Sequence, residues 1–202
     1  MDKNFWDKVY RNKSEQEVSW YQEVPVKSLD LIAELGLAPT DGIIDIGGGD
    51  SHLVDHLLAK GFKNVSILDI SPTALDKAKA RLAENVQSVK FISSDITKFE
   101  PPEKYKLWHD RATFHFLTSV EDVAAYLEIA SRGIAQGGYL IVSTFSKTGP
   151  EKCSGLPISQ YSETELKAVF EKYFANIRCF EDTHKTPWGT GQNFVYCGFK
   201  RR

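Results

Sequence analysis

The sequence predicts an α/β fold: a doubly wound, mainly parallel sheet with helices on both faces. Three observations point there. Short apolar runs alternate with helical patterns between residues 42 and 143. The first run ends in Gly47-Gly48-Gly49, as a buried strand entering a tight turn should. After residue 172 the rhythm changes to two strand-like segments with no helix between them.

Each element has a local reason. Phe5, Trp6, Val9 and Tyr10 recur at spacings of three and four, the apolar stripe of a short helix over residues 2–13. Ser19-Trp20-Tyr21-Gln22 interrupts it. A second helix is expected from Pro25 to Leu35, with Gly36 as its stop. Gly42 to Ile46 is the first strand, Ser51 to Lys60 a helix stopped by Gly61, and Val65 to Ile70 the second strand. Ser71-Pro72 opens the next helix, the serine as cap and the proline in the first turn. Residues 89–92 and 105–109 are strands three and four, 120–132 a helix, and 138–143 strand five. After a helix at about 162–172, Ala175–Phe180 and Asn193–Phe199 read as an antiparallel pair at the sheet edge. No linker breaks the pattern. Residues 1–202 are therefore expected to form one domain, with 1–38 as a helical lid and 39–202 as the α/β core.

Composition removes other classes. A chain of 202 residues with 42% hydrophobic content can bury its own core. Lys and Arg number 25 against 27 Asp and Glu, a balance that argues against a nucleic-acid partner. No apolar run approaches the ~20 residues of a membrane span, and the first residues lack the apolar stretch of a secretory signal. We expect no membrane partner and a cytoplasmic monomer or weak dimer. Cys153, Cys179 and Cys197 are odd in number and lack CxxC spacing, so reduced thiols are expected. His52 and His56 stand four apart like half a zinc site, but no third ligand is evident and no metal is expected.

The chemistry concentrates in Asp45-Ile46-Gly47-Gly48-Gly49-Asp50-Ser51. Glycines between a strand and a helix let the backbone approach a ligand closely. Asp69, at the end of the second strand, can accept hydrogen bonds from the ribose hydroxyls of an adenosine. Asp95 follows the third strand. All three groups fall at the carboxyl ends of parallel strands, where open α/β sheets bind ligands. A dinucleotide fingerprint needs a third glycine at position 52, which is His52. No Lys or Arg lies between Asp45 and Ala59 to meet a pyrophosphate. Asp45 and Asp50 instead suit an ammonium or sulfonium group.

Asp45-Ile46-Gly47-Gly48-Gly49, followed by Asp69, Asp95 and Asp110, resembles the motif series of class I S-adenosylmethionine-dependent methyltransferases. The resemblance covers roughly residues 40–200. It implies a seven-stranded, Rossmann-like sheet with an antiparallel last strand. The aromatic start, Phe5 to Tyr10, resembles the N-terminal helices that cover the cofactor in many members. It further implies that S-adenosylmethionine lies with its methionine part over Gly47 and Gly49 and its ammonium toward Asp45. Asp69 would hold the ribose, Ile70 and Ile96 the two faces of the adenine, and Asp95 the adenine amino group. Trp20 is carried as a cofactor contact, Tyr21 and Arg111 as acceptor contacts, and Asp110 and His115 as candidate bases. Two bland readings stand beside these: an Asp110–Arg111 ion pair and a core histidine at His115.

The resulting expectation is methyl transfer to an O, N or S nucleophile, with a small-molecule acceptor first and a protein side chain second. The sequence after strand four has no Asn-Pro-Pro-Tyr type motif, which lowers readings as an amino-methylating enzyme of nucleic acids or proteins. A nicotinamide-dependent oxidoreductase and a non-catalytic cofactor-binding protein are the alternatives.

Overall fold

The computed structural model describes residues 2–202. Seven strands form one sheet: β1 (Ile43–Ile46), β2 (Val65–Asp69), β3 (Val89–Ser93), β4 (Tyr105–Arg111), β5 (Ile134–Phe145), β6 (Phe174–Lys185) and β7 (Gly191–Arg201). Their order is β3-β2-β1-β4-β5-β7-β6. β1 to β5 pair in parallel, and β7 runs antiparallel to both β5 and β6. The expected doubly wound, mainly parallel seven-stranded sheet is present, with its antiparallel strand last in the chain. That strand sits inside the sheet, and β6 takes the outer edge.

Six helices accompany the sheet: α1 (Lys3–Asn12), α2 (Val26–Glu34), α3 (Leu53–Ala59), α4 (Pro72–Leu82), α5 (Val120–Gly133) and α6 (Glu163–Phe170). On one face Ile44, Leu68, Trp108 and Val142 pack against Tyr126 of α5 and Phe170 of α6. On the other, Ile43, Ile67, Leu107 and Ile141 meet Leu29 of α2, Leu57 of α3 and Leu75 of α4. Every residue of β1 is buried, as a central strand covered on both sides requires. Serines cap α4 and α5: Ser71 accepts from the Ala74 N–H at 3.2 Å and Ser119 from that of Asp122 at 3.1 Å. Each such cap is worth about 1 kcal/mol.

Residues 2–38 divide in two. α2 is part of the layer covering the sheet, whereas α1 contributes Trp6 and Tyr10 to a separate cluster with Ala74. α1 is fastened by Asp7, whose carboxylate accepts from the Ser71 hydroxyl at 2.6 Å and the Thr73 N–H at 3.3 Å.

Two expectations need correction. β4 does not stop at His109: Asp110 and Arg111 are register partners of Val142 and Ser143 and belong to the strand. The thiols are not all reduced. Cys179 and Cys197 face each other across β6 and β7 and form a disulfide, with Cα atoms 4.2 Å apart. The hairpin register brings them together, which their separation in sequence does not disclose. Cys153 is free and buried. No described helix is long and apolar enough to cross a membrane.

Candidate active site

The loop after β1 is shaped by its glycines. Gly47 has φ +62°, and a Cβ there would stand 1.8 Å from the Thr113 hydroxyl oxygen. At Gly48 a Cβ would stand 2.6 Å from Asp45 Oδ2, so the Asp45 carboxylate lies directly beneath the loop. Gly49 passes under the Tyr10 hydroxyl and beside Asp69, whose oxygens would lie 2.6 and 3.1 Å from a Cβ at that position. Arg81 of α4 braces the loop from behind. It donates to the carbonyls of Asp50 (2.7 Å) and Ser51 (2.8 Å) while its guanidinium meets Asp55.

Beside this loop lies a cleft at the carboxyl ends of the parallel strands. Gly47, Asp69, Ile70, Ser94 and Ile96 line its base, and Arg111, Ala112, Thr113 and Cys153 its far side. Trp6, Tyr10, Trp20 and Phe116 also line it. Trp6 packs edge-on to both Trp20 and Phe116, with ring centroids 6.0 and 5.1 Å apart. The loop from residue 18 to 22 is tied to the sheet by its carbonyls. His184 donates to Ser19 O at 2.7 Å, and Arg111 Nη2 donates to Trp20 O. Glu15 and Glu23 O are held by His52 and His56, at 2.9 and 3.0 Å. The two histidines that resembled half a zinc site thus fasten the N-terminal segment. Among the described residues no group of three or more metal-ligating side chains converges.

Asp69 is 5% exposed, and its Oδ1 accepts from the Ser71 N–H at 2.8 Å. Burial pushes its carboxyl up to about 7, with the charges of Asp50 and Asp45 adding to the effect. A polar ligand group donating to this carboxylate would relieve that cost. Asp95 turns its side chain to the Thr97 N–H (2.9 Å) and hydroxyl (2.8 Å), while its neighbours Ser94 and Ile96 face the cleft.

The structure brings together Gly47, Asp69, Ile70, Ile96, Trp20 and Arg111, with Asp45 and Gly49 next to them. It does not bring Tyr21 there: that ring packs edge-on to His52 at 5.5 Å, away from the main cleft. Asp110 is also elsewhere. Its carboxylate is fully buried and accepts from the Thr113 N–H (3.0 Å), the Phe114 N–H (3.1 Å) and the Tyr126 hydroxyl (2.8 Å). Adjacent strand residues point to opposite faces, so Asp110 turns into the α5 side of the core while Arg111 turns to the cleft. The geometry therefore corrects both readings of Asp110: it is neither a base beside the cleft nor the ion partner of Arg111. His115 is fully buried between the rings of Phe116 and Phe145, and neither ring nitrogen has a partner. Burial, with Arg111 nearby, lowers its pKa to about 3. Its place in the core, outside the lining of the cleft, favours the reading as a core histidine.

Sequence reasoning missed one constellation. His109 Nδ1 donates to Asp45 Oδ1 at 2.7 Å, and the Ser28 hydroxyl hydrogen-bonds His109 Nε2 at 2.8 Å. All three side chains are buried, so α2 fixes the orientation of the carboxylate under the glycine loop. The only signal was a histidine at the carboxyl end of β4; its partners lie far away in the chain.

A cradle that a Cβ would fill, a buried carboxylate one strand away and a loop without Lys or Arg together fit an adenosine carrying a cationic amino-acid tail. Comparisons with known proteins agree. A family model described as a methyltransferase domain matches residues 38–193. The chain is 26% identical over 149 residues to the eEF1A lysine and N-terminal methyltransferase of Danio rerio, covering 71% of this chain but 21% of that protein. It is 30% identical over 152 residues to malonyl-[acyl-carrier protein] O-methyltransferase 1 of Ilyobacter polytropus, covering 69% of this chain and 55% of that one. It thus spans about a fifth to a half of these curated relatives. A SAM-dependent methyltransferase from Anabaena variabilis superposes with a TM-score of 0.76 at 16% identity, covering 99% of this chain and 93% of the other. The chain belongs to the methyltransferase domain family and has the fold of its class I, S-adenosylmethionine-dependent members.

Proposed function

We propose that this chain transfers the methyl group of S-adenosylmethionine to a nucleophilic O, N or S atom of a small molecule. One observation carries the reading: the glycine loop, the Asp69 carboxylate and the apolar walls of Ile70 and Ile96 border a single cleft under an aromatic roof. When bound, the cofactor supplies an activated methyl group on a sulfonium whose departure leaves a neutral thioether. The protein does the rest by binding and orientation. Gly47 and Gly49 leave room for the methionine part over the loop. Asp45, oriented by His109, faces the ammonium. Asp69 accepts from the ribose hydroxyls, and Asp95 stands at the adenine amino group. Trp20 covers the cofactor and Arg111 meets the acceptor. Holding two reactants in line contributes ~7 kcal/mol or more to the lowering of the barrier without a covalent enzyme intermediate.

The aromatic roof over the cleft supports a small acceptor. A protein side chain is the second reading, supported by the eEF1A-modifying relative. We place the protein in the cytoplasm as a monomer or weak dimer without a nucleic-acid partner. The near-balance of 25 basic and 27 acidic residues supports the absence of a nucleic-acid partner.

Calorimetry tests the cofactor assignment. S-Adenosylmethionine and S-adenosylhomocysteine should bind one per chain and NAD should not. Binding of NAD alone would return the chain to the oxidoreductase reading. Cofactor binding without transfer to any acceptor, small or protein, would favour a non-catalytic binding protein.

A further inference from the structure

We propose that the acceptor is a small organic acid seated on Arg111, and that its carboxylate is the nucleophile. The inference rests on the methyltransferase reading and names the acceptor's chemistry.

Arg111 borders the cleft as a cation without a counterion. Its Nη2 donates to Trp20 O, but its Nη1 is buried and has no partner. Arg81 and Arg178 each meet a carboxylate; Arg111 meets none among the described residues. A buried, charged donor left unmade is costly, and an anion arriving with the substrate removes that cost. A carboxylate matches the guanidinium in shape as well as in charge.

The second observation is that no free base faces the far side of the cleft among the described residues: His109 borders the adjoining pocket with Arg111, but Asp45 and Ser28 engage both of its ring nitrogens. Asp110 is spent on three hydrogen bonds across the sheet. His115 lies behind Phe116, off the cleft wall. Cys153 reaches the cleft, but burial pushes its thiol up to about 12. Asp69 stands at the opposite end, at the second strand. An alcohol or ammonium acceptor would have to shed a proton with no side chain there to take it. A carboxylate needs no such help: an oxygen lone pair forms the bond to the methyl carbon, the carbon–sulfur pair stays on sulfur, and no proton moves. The products are a methyl ester and the thioether.

The aromatic roof alone would also suit an ammonium acceptor, because ring faces attract cations. Arg111 opposes it. A guanidinium without a carboxylate partner repels a second cation and offers it no acid.

The test titrates straight-chain acids from acetate to decanoate, benzoate and phenylacetate into the adenosylhomocysteine complex. Amines and alcohols of the same skeletons run in parallel, and methyl transfer from tritiated S-adenosylmethionine is counted for each. At least one acid should bind and be esterified in preference to its matched amine and alcohol. Its affinity should fall at least tenfold in Arg111→Met and recover in part in Arg111→Lys. Melting of both variants with adenosylhomocysteine reports their folding, and Arg111→Gln, which also removes the charge, carries the test if Arg111→Met does not fold. Amines or alcohols preferred over their acids, no acid bound at all, or acid affinity untouched by removing the charge would overturn the inference alone. Failure of the wild-type protein to bind adenosylhomocysteine would bring down the methyltransferase reading as well.

Discussion

Asp69→Asn should stabilise the ligand-free protein above pH 7 while weakening its hold on the cofactor. The reason is the burial that raises the folded carboxyl from an ordinary 3.8 to about 7. The folded chain then holds a proton that the unfolded chain releases, so stability falls as pH rises from about 4 to about 7. Below that window the folded carboxyl is neutral and the cost is absent. Above it the cost is complete. The window spans some three pH units at ~1.4 kcal/mol each, an upper bound of about 4 kcal/mol. Asparagine keeps an acceptor for the Ser71 N–H but still buries an amide, so the gain to expect is about 1–2 kcal/mol. Cofactor binding moves the other way. The ribose hydroxyls lose a charged acceptor, a loss of about 1.5–3 kcal/mol, or roughly ten- to 150-fold in affinity. Wild-type affinity should also weaken about tenfold per pH unit below 7, whereas the variant should be flat. Thermal melts at pH 5 and 8.5, with calorimetric titrations of adenosylhomocysteine at both, give all four quantities. Equal melting differences at the two pH values would show that Asp69 does not carry this burial cost. Unchanged affinity in the folded variant would show that it is only a turn acid.

Other perturbations separate structure from binding. Gly47→Val should prevent cofactor binding and lower the melting temperature, because the new side chain collides with Thr113 at a positive φ; normal adenosylhomocysteine titration of the purified variant would contradict the placement of the loop. Asp110→Ala should cost about 3 kcal/mol by orphaning two N–H groups and the Tyr126 hydroxyl, read from urea denaturation; a stability equal to wild type would show those bonds to be dispensable. Hydrogen exchange over residues 5–22 should slow on adding adenosylhomocysteine, and His184→Ala should speed it over 18–22; equal rates throughout would count against a lid. Denatured, unreduced protein should yield one thiol, Cys153; three would restore the expectation of reduced cysteines.

Local chemistry made much of the fold legible. Ser71-Pro72 announced α4, and Gly36 and Gly61 marked the ends of α2 and α3, each with a positive φ. What was hidden depends on pairing at a distance. Asp110 and Arg111 look like the charged end of a strand, yet partners on β5 carry β4 through both of them. That extension decides which faces the cleft and which the core. The Cys179–Cys197 bond depends on hairpin register, and the Ser28–His109–Asp45 chain on the stacking of α2 over β1 and β4. The glycine loop and Asp69 were visible because their chemistry is local to strand ends. The aromatic roof was half visible, in the spacing of Trp6 and Tyr10, while Phe116 and Cys153 lie in the loops after strands four and five and reach the cleft only through the packing of those loops.

The structure of the adenosylhomocysteine complex would examine the cofactor site itself. The ribose hydroxyls should lie within ~3 Å of Asp69, hydrogen-bond distance. The adenine should lie between Ile70 and Ile96, and the amino-acid tail should cross Gly47 toward Asp45. A nucleoside bound outside this cleft, or a cleft left empty at saturating ligand, would contradict the account.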